Sequence, residues 1–143
     1  MDSLVDLAYS IALKAHEGQV DKGGIAYINH PVSVASFVDS DDEKVVALLH
    51  DVVEDTDINL NDLQELGIPR YLVEAIDCMT RRSNEERMAY LLRVKGNAIA
   101  KKVKIADLKH NSDISRIPFP REKDFNRVRE YGEELAFLKE DSL

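Results

Sequence analysis

The stretch His50-Asp51-Val52-Val53-Glu54-Asp55-Thr56 sets two ionisable pairs four residues apart, among Val45, Val46, Ala47, Leu48, Leu49, Val52 and Val53. On a helix, residues four apart stand about one turn above each other, so His50 aligns with Glu54 and Asp51 with Asp55. Burying several such groups unpaired is costly, and a metal cation is a partner strong enough to offset it. A second cluster, Lys104, Asp107 and Asn111, recurs at spacings of three and four and so shares one helical face. A third candidate is His30, held by Pro31 at a loop-to-helix junction. Together His30, His50, Asp51 and Asp107 form a mixed nitrogen and oxygen ligand set. Such a set suits Mn2+, Fe2+ or Zn2+ with positions open for water and substrate. The chemistry is then hydrolysis: a polarised phosphoryl oxygen and a water of lowered pKa, with Glu54 and Asp55 orienting that water or shuttling protons. A His-Asp dipeptide alone is equally a satisfied core histidine; the company of Glu54, Asp55, Asp107 and His30 makes the difference.

The elements that must position these groups read as helices almost throughout. Leu4, Leu7, Ala8, Ile11, Ala12 and Ala15 line one face of a first helix with Ser3 as N-cap. A glycine-bearing loop runs from Gly18 to Asn29, with no regular element expected. His30-Pro31 opens a second helix, proline suiting a first turn. Ser40-Asp41-Asp42-Glu43 caps a third that runs to about Val53. Asn59 or Asn61 caps a fourth that stops at Gly67, and Pro69 begins a fifth through Met79. Ser83-Asn84-Glu85-Glu86 starts a sixth ending near Gly96, Asn97 to His110 forms a seventh, and a last amphipathic helix follows Pro118 and Pro120. The expectation is one all-α domain over residues 1–143, a helical bundle without repeats or linkers.

At 143 residues the chain is long enough for one domain with a real core and too short for two ordinary ones. Its formal charge of −8 disfavours nonspecific binding to nucleic acid or to anionic membranes, and it requires that a phosphorylated substrate meet local positive charge. No apolar run suggests a membrane span, the N-terminus does not read as a signal peptide, and Cys78 is the lone cysteine. A reducing cytoplasm is the expected setting.

His30-Pro31, the His50-to-Thr56 heptad, and Lys104-Ile105-Ala106-Asp107-Leu108-Lys109-His110-Asn111 match, in order, the motifs of HD-domain phosphohydrolases. The stretch from Ala15 to Pro31 resembles in particular the hydrolase domain of RelA/SpoT-type proteins and small alarmone hydrolases. The resemblance extends from about residue 5 to about residue 116. It implies a single HD-domain bundle holding one Mn2+ through His30, His50, Asp51 and Asp107, with Glu54 and Asp55 positioning the attacking water. It further implies that Lys22 lies near the nucleotide and Asn111 on its sugar or phosphate side. The implied reaction removes pyrophosphate from the 3′ position of guanosine tetra- or pentaphosphate, (p)ppGpp, giving GDP or GTP. The chain departs from the pattern at Asp21, where many relatives carry an arginine that helps hold the guanine base. It departs again at Ala26, where proline is usual, and it is shorter than better-known alarmone hydrolases, so that another subunit could supply part of the pocket wall.

Among other residues, Lys104 is expected either to contact substrate or to pair with a pocket carboxylate, and Arg116 to close over the site. His16 is expected to pack at the end of the first helix, and His110 to point about 100° away from Asn111. Two further readings stay open: a nucleotidase or pyrophosphohydrolase acting on another nucleotide, and a regulatory module that binds nucleotide without turnover. The last helix, with Phe125, Val128, Tyr131, Leu135 and Leu138, covers its own core or a partner subunit, which leaves a homo-oligomer open.

Overall fold

Ser3 Oγ accepts a hydrogen bond from the Asp6 N–H and the Asp6 carboxylate accepts one from the Ser3 N–H, so the first helix starts where its orphan donors are satisfied. The computed structural model describes residues 3–140. Helix α1 (Leu4–Ala15) buries Ala8, Ile11 and Ala12. A loop follows, cinched by an isolated antiparallel pairing of Val20 with Ala26, with Gly24 at φ +82° in the turn between them. Helix α2 (Asn29–Ser36) places Pro31 in its first turn, and α3 (Asp41–Leu49) begins at a capping box between Ser40 and Glu43. The remaining helices are α4 (Val52–Asp55), α5 (Leu60–Glu65), α6 (Arg70–Met79), α7 (Arg87–Lys95), α8 (Ala98–Asn111) and α9 (Glu122–Lys139), with a 3₁₀ turn at Ile114–Arg116. The architecture is all-α.

Helix α3 is the axis of the bundle. Val45, Val46, Ala47 and Leu49 are fully buried and Leu48 nearly so, because α1, α2, α6 and α8 pack around it. Each of these valine and leucine side chains contributes about 1.5–3 kcal/mol relative to exposure. Helices α2, α3 and α8 also touch one another pairwise. Their meeting point brings His30 on α2, His50 at the end of α3 and Asp107 on α8 together.

Two boundaries differ from the sequence expectation. The third helix does not run to Val53: it stops at Leu49, His50 and Asp51 form a turn, and the short α4 follows. His50 and Asp51 keep right-handed α-region dihedrals, so the interruption lies in the hydrogen-bond ladder and is a mild one. The helix starting at Ser83 begins instead at Arg87, because Asn84 adopts φ +65° and Glu85 turns back to bind Arg93. No helix among the described residues is long and apolar enough to cross a membrane.

Candidate metal centre

His30, His50, Asp51 and Asp107 each offer one ligand atom, and these atoms all lie within 4.8 Å of one another. His30 Nε2 is 2.7 Å from Asp107 Oδ1, and His50 Nε2 is 3.1 Å from Asp51 Oδ2 and 3.2 Å from Asp107 Oδ1. Both histidines and Asp107 are buried.

The far side of each imidazole decides what the near side can do. His50 Nδ1 is 2.6 Å from the Ala47 carbonyl, which can only accept, so Nδ1 carries the proton and Nε2 presents a lone pair in the neutral ring. His30 Nδ1 is 2.7 Å from His110 Nδ1. Burial, the Arg116 charge and His30 push the His110 pKa down to about 4, so His110 is neutral, and with its proton on Nε2 it accepts the His30 Nδ1–H. In that tautomer His30 Nε2 is a lone pair as well. Two nitrogen lone pairs facing two carboxylates amount to acceptors facing acceptors, an arrangement that calls for positive charge at its centre. In its absence protons are drawn in: burial opposes charge on His50, but Asp51 and Asp107 raise its pKa well above the ordinary value. The donor set fits a divalent metal.

The surrounding residues hold this cluster in shape. Tyr27 donates its hydroxyl to Asp51 Oδ2 at 2.5 Å, and burial with the Asp51 charge keeps that phenol protonated. Lys104 Nζ is 3.2 Å from Asp107 Oδ2, and Asn111 Nδ2 donates to Asp107 Oδ1 at 3.2 Å. Of the two expectations for Lys104, pairing with a carboxylate is what the structure shows. Glu54 and Asp55 stand on α4 at the solvent edge. Removal of water from their carboxyls raises both pKa values, with the Asp51 charge adding to it. The Arg81 N–H donates to Glu54 Oε1 at 3.0 Å, and Gln19 Nε2 donates to the Asp55 carbonyl.

Lys22, Asn111 and Arg116 line a cavity of about 290 Å3 that also includes His30 and Tyr27. Lys22 reaches Asp124 at 3.7 Å across it. Three contributors were not read from the sequence. Tyr27 sits in the loop with no periodic signal. His110 lies three residues after Asp107 and so shares its face; its 100° divergence from Asn111 hid that relation. Gln19 accepts from His16 Nδ1 and so links the end of α1 to Asp55; His16 itself is buried there against the Tyr27 ring, as expected.

A helical bundle with a His-Asp turn at the end of its central helix, completed by a histidine from one neighbour and an aspartate from another, is the HD-domain arrangement. No protein-family model matches the chain. Curated proteins do. A GTP pyrophosphokinase of Streptomyces coelicolor is 34% identical over 94% of this chain, and the bifunctional (p)ppGpp synthase/hydrolase SpoT of Escherichia coli K12 is 36% identical over 73%. The chain spans 17% of the length of each of these relatives. The solved structure of a metazoan SpoT ortholog, described as hydrolysing ppGpp, superposes with a TM-score of 0.79 at 20% identity, covering 96% of this chain and 86% of that one. The chain belongs to the RelA/SpoT-type branch of the HD-domain phosphohydrolases.

Proposed function

We propose that this chain is a metal-dependent phosphohydrolase that removes the 3′-pyrophosphate of (p)ppGpp, giving GDP or GTP. The observation that carries the reading is the convergence of His30, His50, Asp51 and Asp107 within 4.8 Å, with Glu54 and Asp55 one turn away on α4. Relatives named for (p)ppGpp and for guanosine-3′,5′-bis(diphosphate) support this choice of substrate. A divalent ion held by those four side chains, Mn2+ in our reading, supplies Lewis acidity toward a phosphoryl oxygen and lowers the pKa of water. His110 and Ala47 keep the two imidazoles in the tautomer that offers Nε2. Tyr27, Lys104 and Asn111 fix the two carboxylates. Glu54 and Asp55, raised toward the pH at which a carboxylate accepts protons well, take the proton of the attacking water. Lys22, Asn111 and Arg116 line the cavity beside the cluster, which takes part of the nucleotide. The reading places the single HD domain, residues 1–143, in the cytoplasm.

A (p)ppGpp hydrolysis assay joined to elemental analysis tests this. Wild-type protein should contain a stoichiometric divalent metal and release pyrophosphate. Asp51→Asn should lose both while keeping its helical content; full metal occupancy and turnover in that variant would sink the proposed coordination. A second reading, hydrolysis of another nucleotide, is favoured by one feature: Asp21 stands in the cavity wall against Arg116. Parallel assays on a panel of nucleoside mono- and triphosphates separate the two, since turnover of the panel without (p)ppGpp favours the second.

A further inference from the structure

The cavity beside His30 carries a balanced set of charges, Lys22, Arg116 and Arg127 against Asp21, Asp113 and Asp124. Such a wall gives a polyphosphate little net attraction, while the uncharged part of a nucleotide meets no penalty there. Its volume of about 290 Å3 is at the lower end of ligand pockets, room for a base and not for a whole polyphosphorylated nucleotide.

Arg116 ends the 3₁₀ turn, and its side chain is 26% exposed. Its Nη1 donates to the His110 carbonyl at 3.0 Å and its Nη2 to Asp21 Oδ2 at 3.3 Å. Asp21 is itself immobilised, because its Oδ1 accepts the N–H groups of Gly23 at 2.8 Å and Ile25 at 3.0 Å. Burial works to raise the Asp21 carboxyl, but those two hydrogen bonds and the Arg116 charge outweigh it and keep the group ionised. Loop and turn also meet through their backbones: a Cβ on Gly23 would lie 2.7 Å from the Arg116 carbonyl oxygen. Both Nη ends of the guanidinium are therefore tied in its plane, by acceptors from two separate segments. What that leaves for a ligand is chiefly the flat face of a fixed planar cation, a surface suited to stacking on a nucleobase.

We propose that Arg116 is the base-stacking residue of this cavity and that Asp21 is the residue that positions it, so that the cavity takes the purine base of a nucleotide whose phosphates reach the His-Asp cluster. This rests on the phosphohydrolase reading for the direction of the phosphates. A purine fits better than a pyrimidine because its fused rings present the larger face. Asp21 therefore serves base recognition through Arg116 and not by touching the base.

Calorimetric binding of GDP, CDP and inorganic pyrophosphate to the purified chain and its variants tests this without reference to turnover. The wild-type chain should bind GDP more tightly than CDP. Arg116→Ala should weaken GDP binding roughly 10- to 100-fold, the effect of losing one stacking platform, and leave pyrophosphate binding unchanged. Arg116→Lys keeps the charge but not the plane, and should be as weak. Asp21→Asn keeps an oxygen for Gly23 and Ile25 but turns a donor toward Arg116, so GDP binding should fall several-fold with thermal unfolding little changed. The double variant Asp21→Asn/Arg116→Ala should bind GDP no more weakly than Arg116→Ala alone, since Asp21 acts through Arg116. Absence of GDP binding by the wild-type chain, wild-type GDP affinity in Arg116→Ala or Arg116→Lys, equal loss of pyrophosphate, or additive losses in the double variant would each overturn it. Failure of (p)ppGpp hydrolysis with this binding pattern intact would instead overturn the substrate reading alone.

Discussion

The Nδ1 atoms of His30 and His110 lie 2.7 Å apart with their rings stacked, so one of the two nitrogens donates to the other. With that proton on His30, His110, held neutral by burial and by Arg116, is the acceptor that leaves His30 Nε2 free toward Asp51 and Asp107. Partners of this kind typically contribute 10- to 100-fold to metal affinity. His110→Ala should therefore bind Mn2+ about 10- to 100-fold more weakly while keeping its helical content, measured by metal-competition titration and circular dichroism. Unchanged metal affinity would show that His30 does not depend on His110 for its tautomer.

Glu54 and Asp55 touch none of the four clustered side chains among the described hydrogen bonds and ion pairs, so their replacement should separate chemistry from metal retention. Glu54→Gln still offers an oxygen to the Arg81 N–H. In each of Glu54→Gln and Asp55→Asn, kcat on (p)ppGpp should fall by about 10²- to 10⁴-fold, the range for one general base, at unchanged metal content. A parallel fall in bound metal would reassign the pair to coordination.

Much of this molecule is legible in local sequence because its helix starts are chemically explicit. Ser3, Ser40 and Asn59 all form the capping boxes that their neighbours announce. The side chains of the central cluster could be picked by type, since two histidines and two aspartates set among valines and leucines have few other uses. The break at His50-Asp51 could not be read that way. Its residues favour helix and keep α-region dihedrals, so nothing local marks the point at which the hydrogen-bond ladder is interrupted. The Asp21–Arg116 pair was equally hidden, because it joins residues 95 positions apart with no local signal on either.

Metal should also act on the fold, since the four side chains of the cluster converge only when α2, α3 and α8 are assembled. A ligand at about 100 times its Kd stabilises the folded state by about 2.7 kcal/mol. For a chain of this size that corresponds to a rise in Tm of roughly 5–15 °C. Chelator-stripped protein should gain such a rise on addition of Mn2+, followed by differential scanning calorimetry. Asp107→Asn should show almost none of it; an equal rise in that variant would place the metal elsewhere.

Glu43 supplies a pH-dependent contribution remote from the cluster. Its Oε1 accepts the N–H groups of Asp39 and Ser40 at 3.2 and 3.1 Å, Lys102 Nζ lies 3.4 Å from Oε2, and only 7% of the residue is exposed. Burial opposes its charge, but the two backbone hydrogen bonds and Lys102 prevail and hold its pKa below the ordinary carboxylate value. A carboxylate with a lowered pKa in the folded state stabilises fully above its unfolded pKa, about 4.3, and loses that contribution as pH falls through the lower folded value. Glu43→Gln should therefore unfold about 1 kcal/mol more easily at pH 7, the scale of a cap and a charged hydrogen bond. The gap should narrow below about pH 4, because wild-type Glu43 then takes up its proton and resembles the amide. Urea unfolding of both proteins between pH 7 and pH 3 reads this directly, and a gap constant across that range would mean that the Glu43 charge plays no part in starting α3.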